Sequence, residues 1–513
     1  MKHFFFLISL SIILSCSKPK DTASLLYQEP HRSQFHFSPE KGWMNDPNGL
    51  VYYDSTYHLF YQYYPDSNVW GPMHWGHATS NDLVHWKNLP IALYPDSLGY
   101  IFSGSAVIDE HNSSGFQNGN EKPLVAIFTY HDIKKEKAKR IDRESQGIAY
   151  SNDKGNTWIK FPGNPVLKNK GDKDYRDPKV FFHKESNRWI MPLAVGNHLE
   201  IFSSSNLKEW VKESEYGKHE GAHGGTWECP DLFPLTVEGK EKWVLIQNMD
   251  RGSVNGGSGT QYFIGQFDGK TFTNDNEPSK ILWLDYGADN YAGVTWFGSP
   301  DNRRIFIGWM SNWDDYAILV PTKNWRSAMT IPREISLINT RDGIRVSQQP
   351  VEELKKLRKE NVSVTQKTLS DSLIISTTHV EKELEMSFDL SKSASTCLGF
   401  VISNTLNEKV VVGYDKSKNE FFIDRASSGK IDFSKKFPAR HSAPYKASGV
   451  LKIHAFIDTS SVEVFIDNGV IVMTELFFPT EDFTKVTLFS KGGKTELVNA
   501  VVYNLESIWD SKK

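Results

Sequence analysis

The sequence has few cysteines, no excess of positive charge and, beyond its first residues, no long hydrophobic run. Of its 513 residues only Cys16, Cys229 and Cys397 are cysteines, too few for a disulfide framework. The formal net charge is −3, which excludes the basic surface that nucleic acid or an anionic membrane would require. No D-x-D-x-D-G calcium loop and no tetrahedral set of zinc ligands is evident, so we predict no metal and no cofactor. Cys229 is expected to be reduced and structural.

The N-terminal stretch MKHFFFLISLSIILSCS has the pattern of an export signal. Lys2 supplies the positive charge, and Phe4 to Leu14 form an apolar core shorter than the roughly 20 residues that span a bilayer. The stretch ILSC resembles a bacterial lipobox, which implies that residues 1–15 are removed and Cys16 is lipidated. We therefore expect an exported lipoprotein, periplasmic or at the cell surface, with residues 16–30 as a tether and the anchor as its only membrane contact. An ordinary cleaved signal with an incidental cysteine is the alternative.

Short alternating strands dominate the rest of the chain, and helical periodicity is scarce, which predicts an all-β protein. A loose repeat runs through ATSNDLVHW, AYSNDKGNTW and IFSSSNLKEW, with a weaker copy in GQFDGKTF. Each copy is a strand, a polar turn and an aromatic residue that opens the next strand. The spacing of these aromatic residues suits four-stranded propeller blades, and a further β segment follows to about Ser336. We predict a five-bladed β-propeller over 31–340; a sandwich with coincidental turns is the alternative.

The pattern changes after residue 340. The charged stretch VEELKKLRKEN (351–361) favours a short helix, and we predict a linker over 341–362. From 363 to 513 alternating strands return, with Asp467-Asn468-Gly469 as a hairpin turn. This part is predicted to be a β-sandwich with its own core.

Three carboxylates lie close before prolines: Asp46 in WMNDPNG, Asp177 in DYRDPK and Glu228 in TWECPD. Alone, each motif could be a simple turn. A following proline favours extended backbone, and each carboxylate falls early in its repeat, on the strand expected to line the propeller axis. All three are therefore predicted to meet at one end of the axis. Like charges brought together are costly for structure alone, whereas acid–base chemistry on a glycosidic bond requires them.

These motifs resemble those of a known enzyme family. W-M-N-D-P-N-G, F-S-G-S (102–105), R-D-P (176–178) and E-C-P (228–230), in this order, are similar to the defining motifs of glycoside hydrolase family 32, the β-fructofuranosidases. FIDTSSVEVFIDNG resembles the C-terminal sandwich of that family. The resemblance extends from about His31 to Trp509. It implies a five-bladed propeller plus a sandwich, with sucrose or a fructan such as levan or inulin as substrate and terminal fructose as product.

The resemblance also implies residue roles. Asp46 would be the nucleophile, Glu228 the general acid and base, and Asp177 the stabiliser of the transition state, with retention of configuration and carboxyls roughly 5–5.5 Å apart. From the residues themselves we expect Arg176 to keep Asp177 ionised. The residues implied to bind the fructosyl unit are Trp43, Asn45, Gln62, Trp70, Phe102, Ser103, Arg176, Asp289 and Trp313. The family more often has phenylalanine where Asn290 stands, which weakens the alignment at Asp289. Ordinary strand packing, or a strand-end turn at Phe102 and Ser103, is the alternative for several of these residues.

Three other functions fit parts of the pattern. A propeller glycosidase of the arabinan or xylan type also uses three carboxylates. A fructosyltransferase would share the nucleophile and the acid and differ in the acceptor. A surface-anchored protein that only binds fructan would keep the aromatic residues and could lose the acids. The sequence leaves open the preferred linkage, β-2,6 or β-2,1, and the oligomeric state; exo action is expected because the motifs build a pocket for one terminal sugar.

Overall fold

The computed structural model describes residues 26–509, and nearly all of its regular structure is β-strand. The strands up to residue 350 form five separate sheets. The first sheet contains β1 (Gly42–Tyr53), β2 (Thr56–Tyr64), β3 (His74–Ser80), β4 (Lys87–Leu93) and, from later in the chain, β21 (Trp325–Arg326). The second contains β5 (Tyr100–Ile108), β6 (Leu124–His131), β7 (Glu144–Ser151) and β8 (Ile159–Lys160). The third contains β9 (Tyr175–Arg176), β10 (Phe181–His183), β11 (Arg188–Val195), β12 (His198–Ser204) and β13 (Val211–Tyr216). The fourth contains β14 (Trp227–Val237), β15 (Lys240–Met249), β16 (Gly259–Phe267), β17 (Phe272–Asn274) and β18 (Leu282–Trp283). The fifth contains β19 (Tyr291–Thr295), β20 (Ile305–Met310), β22 (Ala328–Met329), β23 (Arg333–Thr340) and β24 (Gly343–Pro350).

The five sheets are arranged in a ring. β1 packs against β5 and β19, β5 against β9, β11 against β14, and β14 against β19, so the early strands surround one axis. The ring is closed where β21, from late in the chain, pairs in parallel with β1 through Gly42 and Trp325. The predicted all-β class, a propeller followed by a sandwich, is confirmed.

The repeated turns have one shared hydrogen-bond pattern. In each, an Asp or Asn side chain accepts hydrogen bonds from backbone N–H groups two to four residues later, as Asp82 does from Val84 and His85. The equivalent acceptors are Asp153, Asn206 and Asp268. Each turn joins the third strand of a sheet to the fourth. The polar residues of the repeat are thus explained by side chains that satisfy turn donors.

The C-terminal part packs two six-stranded sheets face to face. Their strands are β25 (Arg358–Leu369), β26 (Ser372–Ser376), β27 (Lys382–Asp389), β28 (Cys397–Ser403), β29 (Lys409–Asp415), β30 (Glu420–Ser427), β31 (Arg440–Pro444), β32 (Val450–Asp458), β33 (Ser461–Ile466), β34 (Ile471–Leu476), β35 (Lys485–Lys491) and β36 (Thr495–Leu505). Alternate residues from both sheets, such as Leu384, Phe400 and Val464, form a single fully buried core. The Asp467-Asn468-Gly469 turn joins β33 to β34, and both non-glycine residues have positive φ, as such a hairpin requires.

The segment predicted as a linker is largely regular structure, and this corrects the boundary at 341–362. β24 pairs with β23 along its whole length and belongs to the fifth propeller sheet. The charged stretch forms a 3₁₀ helix only over Glu352–Leu357, where Leu354 and Leu357 are buried, and β25 follows at once. Between residues 26 and 509 the structure has two other helices, α1 (Ile133–Lys137) and a 3₁₀ turn at Pro300–Asn302. β24 and the first residues of β25 were not predicted because their many polar residues hide the alternation of apolar and polar residues that is typical of a strand.

Buried ion pairs join the propeller to the sandwich. Arg333 of β23 contacts Glu463 of the sandwich and donates to Asp285 at 3.1 Å. Arg425 of the sandwich donates to Asp289 of the propeller at 2.5 Å. Because all these side chains are almost completely buried, each charge depends on its partner. The junction therefore fixes the two domains together.

The predicted signal, Cys16 and most of the tether lie outside the described residues. Within 26–509, none of the helices is long and apolar enough to span a membrane.

Candidate active site

A break in strand pairing occurs in four of the strands around the axis, each at the same end of the ring. These breaks lie between Met44 and Pro47, between Ile101 and Gly104, between Glu228 and Asp231, and between Tyr291 and Val294. A bulge frees side chains from the regular alternation and turns them toward the axis. The sequence motifs mark these irregular positions.

The backbone at two of the motifs is not extended, which corrects the expectation drawn from the prolines. Asp177, before Pro178, has a φ of 63°, and Cys229, before Pro230, has a φ of 46°. Non-glycine residues adopt this left-handed region at a cost and are held there by surrounding contacts. The Asp177 N–H donates to Thr129 Oγ1 at 3.0 Å, and the Cys229 N–H donates to Asp177 Oδ2 at 3.1 Å. The two strained residues thus hold each other in place.

The three predicted acids line one pocket of about 240 Å³ at this end of the axis. Of the residues implied to bind fructose, seven line the same pocket: Asn45, Gln62, Trp70, Phe102, Ser103, Arg176 and Trp313. The pocket is also lined by five charged residues that the sequence analysis did not select: His131, Glu136, Arg143, Glu144 and Asp174. Tyr291 lies behind the lining and contacts Glu228. Residues from the first four sheets, with Trp313 from the loop after β20 of the fifth, therefore converge on one pocket.

The Asp46 carboxylate is fixed by neighbours on two strands. Ser103 Oγ donates to Asp46 Oδ2 at 2.6 Å, and Asn45 Nδ2 donates to Oδ1 at 3.0 Å. Asn45 is itself held by the indole N–H of Trp43, at 2.7 Å. Trp43 is completely buried behind the pocket wall, packed on Trp309 and Trp313. Trp43 therefore supports Asn45 from behind. The family resemblance implied that Trp43 binds the sugar, but it does not line the pocket.

Asp177 and Asp46 share a contact with one thiol. Cys229 Sγ lies 3.6 Å from Oδ2 of each aspartate, so those two oxygens are separated by no more than twice that distance. Burial and the neighbouring carboxylates raise the pKa of Cys229 well above its ordinary value, which keeps it a neutral thiol that can donate. Cys229 therefore contacts both acids as a weak donor.

Glu228 is held by an arginine and a tyrosine. Its Oε1 accepts from Arg176 Nε at 3.0 Å and Nη2 at 2.6 Å, and its Oε2 contacts the Tyr291 hydroxyl. Arg176 also donates through Nη1 to Asp174 at 2.9 Å and Glu144 at 3.2 Å. Each carboxyl oxygen of Glu228 thus has a donor from a different sheet.

The partner of Arg176 differs from the one we expected. Its guanidinium binds Glu228, Glu144 and Asp174, while Asp177 receives the Cys229 N–H. Burial raises the pKa of Asp177 well above its ordinary value, and the charge of Glu228 adds to this against the opposing effect of Arg176. Arg176 and Asp177 are adjacent in the sequence, but they do not form an ion pair, because the Arg176 guanidinium points toward Glu144 and Glu228 on other sheets.

The electrostatics of Glu228 favour its protonated form. Burial raises its pKa above the ordinary 4.5, and the charge of Asp46 adds to the effect, while Arg176 and Tyr291 oppose it. For Glu144, burial acts in the same upward direction, but Arg176 and His131 outweigh it and hold the pKa at about 2. The pKa values of two glutamates joined to one arginine are therefore shifted in opposite directions, as those of a general acid and its ionised neighbour should be.

Aromatic side chains shape the mouth of the pocket. Phe102 meets Trp70 edge to face, with ring centroids 6.0 Å apart, and stacks on His131 at 4.3 Å. Trp70 is 37% exposed and stands at the rim. Gln62 Nε2 donates to the Ile101 carbonyl at 3.0 Å, which fixes its amide beside the Phe102 backbone. These contacts build a pocket with one rigid aromatic wall.

Asp289 lies elsewhere. It is completely buried at the propeller–sandwich junction, where it accepts from Tyr316 Oη at 2.6 Å, from the Leu476 N–H at 2.8 Å and from Arg425. The prediction that it binds the sugar is therefore not supported by its position. Its motif, ADNYAG (288–293), runs into β19, and the backbone before the strand carries Asp289 to the sandwich side, while Tyr291 at the start of the strand contacts Glu228.

Two histidine–carboxylate groups in the described part of the chain could in principle hold a metal: His198, Glu200 and Glu215, and Glu383, Glu385 and His454. Both already contain a cation. Lys212 lies 2.5–2.6 Å from Glu200 and Glu215, and Arg358 pairs with Glu383 and Glu385. A metal would have to displace these side chains, and both groups lie outside the pocket lining.

Comparisons with known proteins agree with this geometry. The profile of the glycosyl hydrolases family 32 N-terminal domain matches residues 36–350, and that of the C-terminal domain matches residues 353–504. A levanase of Bacillus subtilis is 46% identical over 98% of this chain and 75% of its own length. An extracellular exo-inulinase of Aspergillus ficuum is 39% identical over 98% of this chain and 99% of its own.

Solved structures show the same similarity. The crystal structure of an exo-inulinase from Aspergillus awamori superimposes with a TM-score of 0.87 and 39% identity, covering 94% of this chain and all of the other. A β-fructofuranosidase from Schwanniomyces occidentalis, complexed with fructosyl-erythritol, gives 0.84 and 32%, covering 94% and 99%.

Proposed function

The chain belongs to glycosyl hydrolase family 32, and we propose that it is a retaining, exo-acting β-fructofuranosidase that releases terminal fructose from fructans or sucrose. It is a glycosidase of the levanase and exo-inulinase type, as the names of relatives at 39–46% identity indicate. The observation that carries the proposal is the meeting of Asp46, Asp177 and Glu228 in one pocket.

In the first step Asp46 attacks the anomeric carbon of the terminal fructosyl unit. Ser103 and Asn45 hold this carboxylate in one orientation, which supports its role as nucleophile. Glu228 gives its proton to the glycosidic oxygen as the bond to the anomeric carbon breaks, and the leaving sugar departs with that proton. The raised pKa of Glu228 supports this role, because a general acid must hold its proton near the working pH.

In the second step water replaces the enzyme carboxylate. Glu228, now ionised, takes a proton from water, whose oxygen bonds to the anomeric carbon as the ester to Asp46 breaks. Asp177 lies beside both acids and accepts hydrogen bonds from ring hydroxyls of the fructosyl unit. Two inversions give net retention, and the acid is restored to its protonated form.

The small pocket supports exo action. It is lined by Trp70, Phe102 and Trp313 at its mouth and by the acids within, an arrangement suited to one terminal unit. A transferase would use the same two steps with a sugar in place of water.

The deciding experiment incubates the protein with sucrose, inulin and levan and resolves the products by chromatography. Free fructose as the only product supports exo hydrolysis. A ladder of oligosaccharides indicates endo cleavage, and products longer than the substrate at high sucrose indicate transfer. Isothermal titration that shows fructan binding without turnover would replace the proposal with a binding protein. Rapid cleavage of p-nitrophenyl arabinoside with sucrose left intact would indicate the arabinan type.

We infer from the ILSC stretch that the protein is exported and anchored through a lipid on Cys16. Mass spectrometry of the mature N-terminus tests this: a diacylglyceryl group on Cys16, lost in Cys16→Ala, supports the anchor. An unmodified N-terminus after cleavage supports an ordinary signal.

A further inference from the structure

His131 ends β6 directly opposite Glu144, the first residue of β7, and is 3% exposed. Its two ring nitrogens face two different carboxylates. Nε2 lies 3.1 Å from Glu136 Oε2, on α1 at the rim, and Nδ1 lies 3.4 Å from Glu144 Oε1. Only a ring that carries both N–H groups can donate to both carboxylates. Both ring nitrogens of His131 therefore face carboxylate oxygens.

A chain of alternating charge runs from this histidine to the general acid. Glu144 accepts from Arg176 Nη1 at 3.2 Å through the oxygen that faces His131, and Arg176 donates to Glu228. Glu144 is further fixed by the Tyr175 N–H at 2.7 Å, so it cannot turn away from Arg176 easily. Each link is a contact between different elements: α1 to β6, β6 to β7, β7 to β9, and β9 to β14.

We propose that His131 is a positioning residue for Glu228, acting through Glu144 and Arg176, with Glu136 as the exposed end of the same chain. This inference rests on the proposed function of Glu228 as general acid. His131 contacts Glu144 from one side, which leaves more of the charge of Arg176 directed at Glu228. Without that contact Arg176 is drawn toward Glu144, and Glu228 holds its proton to a higher pH.

Other charged or titratable side chains lie around His131 and around Glu228, and none of them is changed in the experiment. Around His131 these are Tyr100, Arg143 and Asp174, in addition to Glu136 and Glu144. Around Glu228 they are Asp46, Asp177, Cys229, Tyr291 and, at the rim, Arg251. Because these groups are the same in every variant below, a shift between variants reports the altered residue.

The stacking of His131 on Phe102 suggests a purely structural role as the competing explanation, and one substitution separates the two. His131→Phe keeps an aromatic ring against Phe102, whose plane lies 7° from that of the histidine. It removes both ring nitrogens and with them the contacts to Glu136 and Glu144. A residue needed only for stacking would be replaced by phenylalanine without an effect on the pH profile.

The experiment measures kcat/KM for sucrose against pH. His131→Phe should move the alkaline limb up by about half a pH unit, less than the roughly one to two units expected for losing a direct hydrogen bond to the acid, because His131 acts only through Glu144 and Arg176. Glu136→Gln removes a negative charge and should move the limb down by a smaller amount. Glu185→Gln is the matched control, since Glu185 also faces a buried histidine, His183 Nε2 at 3.4 Å, outside the pocket lining. It should leave the limb unchanged.

Several results would overturn the inference. An unchanged limb in His131→Phe, with normal thermal unfolding, would reduce His131 to a stacking partner. If His131→Phe does not fold, Glu136→Gln decides, because the Glu136 side chain is 44% exposed and its replacement should leave the fold intact. An alkaline limb that stays in place or moves up in Glu136→Gln refutes the proposal. Failure of the wild-type protein to hydrolyse any fructoside would instead refute the proposed function, and this inference with it.

Discussion

The Tyr291 hydroxyl offers a sharp test of how Glu228 is tuned. It contacts Glu228 Oε2, whereas Arg176 occupies Oε1, so Tyr291→Phe removes one donor and leaves the other in place. Tyr291 is completely buried, and phenylalanine fills nearly the same volume. The substitution therefore changes a hydrogen bond and little else.

The size of the effect follows from that contact. A hydrogen bond to an ionised carboxylate contributes about 1.5–3 kcal/mol to the charged form, which corresponds to about one to two pH units. Tyr291 lowers the pKa of Glu228, so its removal raises that pKa further. Glu228 must be protonated in the first step, so the alkaline limb of kcat/KM moves up by about one unit, while kcat/KM at the optimum stays within tenfold.

The assay is the pH dependence of sucrose hydrolysis at substrate concentrations well below KM, because this limb reports the free enzyme. Tyr316→Phe is the matched control: Tyr316 is also buried and donates to a buried aspartate, Asp289, at 2.6 Å, but at the domain junction. It should lower the unfolding temperature without moving the limb. A limb that stays in place in Tyr291→Phe, or moves to lower pH, would refute the assignment of Glu228 as the acid.

Three further predictions follow from the same contacts. Glu228→Gln should reduce kcat/KM for sucrose by about 10²–10⁴ with a nearly unchanged unfolding temperature, and a p-nitrophenyl fructoside should lose much less because its leaving group needs no proton; equal losses on both substrates would argue against a general acid. The wild-type enzyme should remain active above pH 4.5, the ordinary pKa of a glutamate, and lose kcat/KM as pH rises through the raised pKa of Glu228; a profile already falling below that pH would contradict it. Asp289→Asn should cost about 1.5–3 kcal/mol of unfolding free energy, because Arg425 loses one of its two carboxylate partners and keeps only Glu475, and KM for sucrose should not change. If Asp289→Asn instead raised KM and left stability unchanged, Asp289 would have to be assigned to sugar binding.

Buried charged residues are concentrated in two regions, the domain junction and the pocket, and their charges are balanced only at the junction. At the junction every buried charge has a partner of opposite sign, as Arg333 has in Glu463 and Asp285. In the pocket, acids outnumber bases, and burial together with the charge of neighbouring carboxylates raises the pKa of Asp177 and of Glu228. An unbalanced cluster is costly for stability, so its presence beside a balanced one indicates function.

The fold class and the meeting of the three acids could both be predicted from local sequence patterns. The polar turns recur because each needs an Asp or Asn acceptor, and they mark the same connection in four sheets. The predicted positions of Asp46, Asp177 and Glu228 also follow, because early strands in successive sheets must face one axis. Short-range periodicity is sufficient for both conclusions.

The pairing of the charged residues was decided only by the tertiary structure. Arg176 stands beside Asp177 in the chain yet binds Glu228 from another sheet, and Asp289 turns toward Arg425 in the other domain. His131 and Glu144 become neighbours only when β6 pairs with β7. A charge interacts with whatever lies within a few ångströms of it, and bulges, left-handed residues and sheet packing set those distances. The sequence therefore determined the three acids and most of the predicted sugar-pocket residues, and three-dimensional packing determined which further groups reach the site and which charged groups lie in contact.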